Sequence, residues 1–344
     1  MMSHPIKPRL NVAALRILIA AACLSLASCG GNHSALNPAG PQSERIGNLW
    51  WLLFTVSVIV FVLVVAFMLY GAYRSRRRNN AATDENAERR MARAVSIAVA
   101  VTVVTLFGLL VASVLTGRAI SPPPSGDFLT IKITGHQWWW EVEYEDPVAS
   151  QRVTTANEIH IPTGQTVMLK LTSHDVIHSF WVPSLHGKKD LIPDHEIITT
   201  IQADAPGTFR GQCAEFCGHQ HAHMAFFIIA EPPDQFQAWL ENQRKPSVQP
   251  ADQLQARGQQ VFLTKSCVLC HTIQGTPAGA HVGPNLTHVA SRQTIAAGTI
   301  PFAHDSLARW VVDSQSVKPG NRMPQNMLSP EELQALLAYL ESLK

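Results

Sequence analysis

The chain has 344 residues, too many for one compact domain and enough for two or three. Its 27 Lys+Arg stand against 25 Asp+Glu, a net charge of +2, so there is no basic excess and no nucleic-acid partner is expected. That near-neutral average conceals three regions of different character.

At the N-terminus, Lys7, Arg9 and Arg16 precede the apolar run Ile17 to Leu26, which ends in Leu26-Ala27-Ser28-Cys29. A positive segment, an apolar segment and a small-residue cleavage site form a secretory leader, here residues 1–28. The ending is similar to the lipobox of bacterial lipoproteins, in which the cysteine is lipidated and becomes the mature N-terminus. An ordinary signal peptide or an uncleaved anchor is the alternative.

Residues 45–118 read as a transmembrane helix hairpin. Leu49 to Tyr70 and Ala94 to Thr116 contain no charged residue, and each is long enough to cross a bilayer, which takes about 20 apolar residues. Neither has the polar stripe of a helix packed at a domain surface. Between them lie Arg74, Arg76, Arg77, Arg78, Arg89, Arg90 and Arg93. Arginine-rich loops stay in the cytoplasm, so everything after Gly117 is expected outside. Removing the leader's three positive charges and the loop's net +4 from the overall +2 leaves about −5 outside. Such a surface would steer cationic partners, an attraction that salt weakens.

After the breaker Pro122-Pro123-Pro124-Ser125-Gly126 the pattern changes to period two. Val167, Leu169 and Leu171 alternate with Met168 and Lys170. Phe128, Ile131 and Ile133 give another apolar strand, and Ala225 to Ala230 a third. With turns at Pro162-Thr163-Gly164 and Ala205-Pro206-Gly207, residues 126–232 are expected to form a β-sandwich or barrel. A short helix, Asp234 to Gln243, leads to a polar linker at 244–251, and residues 252–344 read as a helical domain. Its last helix carries Ser329, Pro330 and Glu332 at the N-cap, N1 and N3 positions of a capping box. Leu333, Leu336, Leu337 and Leu340 follow on one face.

Cys23 falls in the leader, and Cys29 ends it. The other cysteines form two close pairs in a part of the chain where disulfides are allowed. Cys213 and Cys217 share a loop with His221 and Met224. Thiolate, imidazole and thioether together favour copper over magnesium, calcium or manganese, and zinc has little use for methionine. An imidazole from Asp175-Val176-Ile177-His178-Ser179-Phe180-Trp181-Val182-Pro183 would complete a two-metal site with bridging thiolates.

The last stretch, the Cys-x-Glu-x-Cys-Gly-x-x-His-x-x-Met loop and the run Gly135-His136-Gln137-Trp138-Trp139-Trp140, all following a two-helix hairpin, resemble subunit II of haem–copper cytochrome c oxidases. The resemblance covers about residues 45 to 240 and implies a cupredoxin-like domain. It further implies that His178, Cys213, Cys217, His221 and Met224 bind the binuclear copper centre CuA through their side chains, and Glu215 through its backbone carbonyl. In that family the glutamate carboxylate also reaches a magnesium ion at the border with subunit I, a second candidate role for Glu215. Trp138 matches the tryptophan through which electrons enter; a core or interface aromatic is the alternative. His174, His186, His195, His219 and His223 are expected to be surface or structural residues, with His219 and His223 also possible outer partners of a ligand.

Cys267-Val268-Leu269-Cys270-His271 is the C-x-x-C-H pattern of covalent c-type haem attachment. A redox disulfide is the alternative, but it has no need of His271. The sixth iron ligand is expected downstream at Met323, in Asn321-Arg322-Met323-Pro324, with Met327 its rival. From Ala256 to Lys344 the chain looks like a class I cytochrome c, including Gly283-Pro284-Asn285-Leu286.

The fused arrangement resembles the cytochrome-c-bearing subunit II of certain bacterial terminal oxidases. It implies electron input from a cytochrome c donor through haem c and CuA to haem in subunit I, where oxygen is reduced and protons are translocated. Subunits I and III are the implied partners, and the outer face of the bacterial cytoplasmic membrane the implied location. Two departures stand out. Residues 94–116 lack the glutamate and proline that many relatives carry in the second membrane helix, and Pro193-Asp194-His195 replaces the usual Pro-Gly-Arg or Pro-Gly-His. Rival readings are a copper subunit serving nitric oxide reduction and a membrane-anchored copper chaperone or sensor. C-x-x-C-H argues against the chaperone.

Overall fold

The structure, a computed structural model, describes residues 31, 33–76, 85–122 and 126–344. The leader, Cys29 and the middle of the arginine loop lie outside the described residues.

Two 35-residue helices open the described chain, α1 (Pro41–Ser75) and α2 (Glu85–Ala119). At 1.5 Å per residue each runs about 52 Å, more than the roughly 30 Å of bilayer hydrocarbon. Their most apolar windows have mean hydropathies of 3.1 and 2.6, and none of either window is buried. Side chains such as Phe61, Phe67 and Phe107 stand exposed, an arrangement stable only in an apolar surrounding. The start of α1 is different. Ser43 is buried, its hydroxyl donating to the Ser184 carbonyl at 2.7 Å. The Arg45 guanidinium donates to the Ala119 carbonyl at 3.0 Å, joining the outer ends of the two helices.

The middle region is a sandwich of two five-stranded sheets. The first contains β1 (Thr130–His136), β2 (Trp139–Tyr144), β3 (Val153–Ala156), β5 (Val167–Ser173) and β8 (Ile197–Ile201), in the order β3-β2-β1-β5-β8. The second contains β4 (Glu158–Pro162), β6 (His178–Trp181), β7 (Lys189–Leu191), β9 (Gly207–Cys213) and β10 (Ala225–Glu231), in the order β4-β10-β9-β6-β7. The pairs β1/β5 and β4/β10 are parallel, and the other paired strands are antiparallel. The alternation read in β5 is realised: Val167, Leu169 and Leu171 are buried, with Met168 and Lys170 between them half-buried. Facing side chains of the two sheets, among them Trp140, Phe180 and Phe226, fill the interior. The Phe180 and Phe226 rings stack at 4.5 Å and the Trp140 ring meets Phe226 at 5.0 Å. At Pro193-Asp194-His195 the backbone of Asp194 has φ +58°, the left-handed region a glycine adopts freely, so this aspartate keeps the turn at some conformational cost.

Helix α3 (Pro233–Gln243) begins with proline at its first turn and buries Phe236 and Leu240 against the sandwich. The last region contains α4 (Gln253–Thr264), α5 (His304–Val312), the single-turn α6 (Ser314–Val317) and α7 (Pro330–Ser342). It also has a two-residue strand pair, β11 (Thr294–Ile295) with β12 (Ile300–Pro301), which the helical reading left out because two residues set no period. The capping box of α7 is present: Ser329 Oγ accepts from the Glu332 amide, and the Glu332 carboxylate from the Ser329 amide. Leu336, Leu337 and Leu340 are buried and Leu333 half-buried, while Ala335 and Tyr339 widen the buried face. Gly258 is where α4 crosses α7, since a Cβ there would lie 2.0 Å from the Ala335 carbonyl oxygen.

Candidate metal centre and the cavity beside it

At one end of its inner strands the second sheet carries a cluster of soft side chains. His178 opens β6, Cys213 closes β9, and the two strands pair through Phe180 and Cys213. The loop from Cys213 to Met224 then folds back, so Cys217, His221 and Met224 return to the same place. The Cys213 and Cys217 sulfurs are 3.8 Å apart, about twice a disulfide bond length, and both cysteines are free and buried. His178 Nδ1 lies 3.8 Å from the Cys213 sulfur, and the Glu215 carbonyl oxygen 3.3 Å from it. His221 Nδ1 is 3.6 Å from the Cys217 sulfur and Met224 Sδ 3.8 Å from it. The ligand atoms of His178, Cys213 and Cys217 all lie within 4.8 Å of one another. Two imidazoles, a thioether and a carbonyl thus surround a pair of sulfurs, the donor set that suits copper.

The surroundings prepare these groups. His178 is fully buried, and its Nε2 meets Asp175 Oδ1 at 2.9 Å, leaving Nδ1 for the sulfurs. Its ring packs on Gly135 of the opposite sheet, where a Cβ would come within 2.8 Å. Burial opposes protonation of His178, yet Asp175 and Cys213 outweigh it and raise the imidazole pKa. Burial also works against the charge of Asp175, but hydrogen bonds from His178 and from the Gln137 and Val176 amides bring its pKa to about 2. The Cys217 thiol beside Cys213 lowers the Cys213 pKa to about 3 despite burial, while that contact and burial push Cys217 up. One sulfur is therefore ready to ligate as a thiolate. Glu215 turns its carboxylate outward, 3.3 Å from the Lys188 ammonium.

Beside the cluster lies a mostly apolar cavity of about 470 Å³. Cys267, Cys270, His271 and Met323 line it, and so do Trp138 and Trp139 from the sandwich. His271 Nδ1 is held by the Pro284 carbonyl at 2.8 Å, which leaves Nε2 as the free donor. Burial keeps this imidazole's pKa low, the neutral form a metal needs. A Cβ on Gly283 would lie 2.7 Å from His271 Cε1, so only glycine lets the chain pass. These features fit a covalently held haem. Met327 is 95 % exposed and does not line this cavity.

Trp138 belongs to both places. It is 8 % exposed, lines the cavity, and its indole Nε1 donates to the Cys217 carbonyl at 2.9 Å. Gln137 Nε2 donates to the same oxygen at 2.8 Å.

Two matches to known families divide the exterior. Residues 129–231 match the family described as cytochrome c oxidase subunit II, periplasmic domain, and residues 255–344 match cytochrome c. Cytochrome c oxidase subunit 2 of Alkalihalophilus pseudofirmus is 35 % identical over 331 residues, 93 % of this chain and 94 % of the relative. The chain belongs to the cytochrome c oxidase subunit 2 family. The Bacillus subtilis protein of the same name is 30 % identical over 351 residues, 96 % of this chain and 97 % of the relative. A crystal structure of the periplasmic domain of subunit II of cytochrome oxidase from Bradyrhizobium japonicum is 32 % identical, covering 35 % of this chain and 96 % of that one, with a TM-score of 0.33. As a subunit II with a cytochrome c domain, the chain is an electron-input subunit of an oxidase, working with other oxidase subunits at a membrane. Its two family domains imply copper and haem c.

Several residues of the site went unread in the sequence. Asp175 stands three before His178, a spacing that signals an orienting carboxylate once His178 is taken as a ligand. Gln137 and Lys318 gave no such signal, because their partners are backbone carbonyls remote in the chain. The outer acidic residues are also less free than their charge suggests. Glu141, Glu143, Glu145 and Asp146 pair with His136, Arg152, Lys170 and Arg244.

Proposed function

We propose that this subunit passes electrons from a cytochrome c donor through covalent haem c and binuclear CuA to haem in subunit I, where oxygen is reduced to water with proton translocation. The observation that carries this reading is Trp138, which walls the haem cavity and is hydrogen-bonded to the copper loop. Cys267 and Cys270 would attach the haem, with His271 and Met323 as axial ligands. The place of Met323 in the cavity wall supports it over exposed Met327. His178, Cys213, Cys217, His221, Met224 and the Glu215 carbonyl would hold two coppers. When bound, these groups supply one-electron redox chemistry, and the protein sets distance, orientation and polarity.

The chain's own residues do the positioning. Asp175 fixes the His178 ring, Trp138 and Gln137 tie the Cys217 carbonyl, and burial of both sulfurs limits water. The outward Glu215 carboxylate, paired here with Lys188, would reach a magnesium ion at the subunit I border. Residues 126–232 form the copper unit and residues 252–344 the haem unit, joined by 244–251, with the hairpin of 45–118 as the anchor. The leader of residues 1–28 would be removed, with Cys29 a lipid attachment point on the periplasmic side. Subunits I and III would cover the membrane helices and the Glu215 face.

Cys217→Ser in the assembled oxidase tests the route. Haem attachment should persist while oxygen turnover with reduced cytochrome c falls by at least two orders of magnitude. Turnover at the parental rate would contradict it.

A further inference from the structure

The haem domain contacts the sandwich through two deeply buried charged side chains, one from each partner. Glu158 of β4 is 3 % exposed. Its carboxylate accepts from the Gln293 amide at 2.9 Å, the Thr294 amide at 2.8 Å and the Thr294 hydroxyl at 3.0 Å, all from the haem domain. Among the described residues no side chain of its own domain bonds to it. Lys318 is 2 % exposed, and its Nζ donates to the Trp138 carbonyl at 2.9 Å and to Ala296 at 3.2 Å. A charged side chain is costly to bury without partners, and here most of the partners exist only while the domains are together.

Lys318 begins the loop that ends at Met323, and the same loop is tied down further along. The Pro319 carbonyl accepts from Gln220 of the copper loop at 2.6 Å. Arg322 donates to Gln137 Oε1 at 2.8 Å and lies 3.6 Å from Asp175. These contacts fall on Gln137 beside Trp138, on Gln220 of the copper loop and on Asp175, which holds the His178 ring. Burial lowers the Lys318 pKa to about 7 despite the nearby Cys217, and both of its partners are neutral carbonyls.

We propose that Glu158 and Lys318 are positioning residues of an intramolecular docking site, which holds the haem domain over Trp138 so that haem-to-copper transfer requires no domain movement. The consequence for transfer rests on the function proposed above; the docking itself does not.

Two measurements on the intact oxidase separate these. Hydrogen exchange first: the peptide carrying Gln293 and Thr294 should be protected in the parent and lose protection in Glu158→Ala/Lys318→Met. Exchange in the parent as fast as in an unstructured peptide would overturn the docking site, whatever the electrons do. Haem-to-copper transfer after rapid photoreduction comes second. The parental rate should stay within about twofold when glycerol raises the viscosity several-fold, because a domain already docked has no gating motion to slow. The double variant should transfer about tenfold or more slowly and become viscosity-dependent, with its haem spectrum and copper resonance unchanged. A viscosity-dependent parent, or a variant at parental speed, would overturn the positioning role. If the protected parent transferred no electron from haem to copper, the route would fall and the dock would stand. Should the double variant lose haem or copper, parental exchange and parental viscosity dependence still decide the matter.

Discussion

Asp175 shows how a single residue prepares the candidate metal site. Its carboxylate is 13 % exposed and its pKa is brought to about 2, against 3.8 ordinarily. A depressed carboxylate pKa stabilises the fold above the ordinary value, and that stability is lost as pH falls through the folded value. The metal-free protein should therefore weaken between about pH 4 and pH 2, by roughly 2 kcal/mol from this residue. Asp175→Asn should remove that contribution at neutral pH and flatten the acid limb, as read from urea midpoints across pH. An unchanged acid limb would deny Asp175 this role. At the haem, Met323→Leu should leave the covalent attachment intact, lower the reduction potential and open the iron to added cyanide or imidazole. Met327→Leu should do neither. The reverse pattern in redox titrations would move the axial role to Met327.

At the scale of elements, legibility followed the local or remote origin of each feature. The alternation of β5 and the capping box of α7 were readable because their determinants lie within a few residues. The two long apolar helices were readable from length and apolarity alone. The β11/β12 pair was not, being held by what surrounds it. Gly258 is a similar case: nothing in its neighbours announces a helix crossing, yet a Cβ there would press on the Ala335 carbonyl at 2.0 Å. Gly258→Ala should destabilise the haem domain by about 1–3 kcal/mol, the usual cost of overpacking. Thermal unfolding followed at the haem band would show it, and an unchanged midpoint would mean that the helices can separate at little cost. The soft-donor loop stood out in the sequence, since cysteine, histidine and methionine at such spacing have few other uses, and the fold brings those donors together. Its supports, Gln137 and Asp175, depend on how strands of opposite sheets meet.

Across the whole molecule, the notable relation is between two sites that were each readable separately and whose adjacency was not. No spacing rule connects Trp138 with Lys318, 180 residues later, and only the fold brings the cavity wall to the copper loop. The acidic cluster on β2 and just beyond it is paired with His136, Arg152, Lys170 and Arg244. Its attraction for a cationic donor should accordingly be modest. Raising the ionic strength from 50 to 200 mM is expected to slow donor oxidation by about threefold or less, and a fall of a hundredfold would reveal a strong charged docking face elsewhere.

The central claim is that one chain holds a covalent haem and a two-copper centre on either side of Trp138. The most direct test is a metal and haem count on the purified subunit, together with an electron paramagnetic resonance spectrum of the oxidised copper. Two coppers per covalent haem, with one unpaired electron shared over both nuclei, is the predicted result. A single copper with a localised electron, or none, would contradict it.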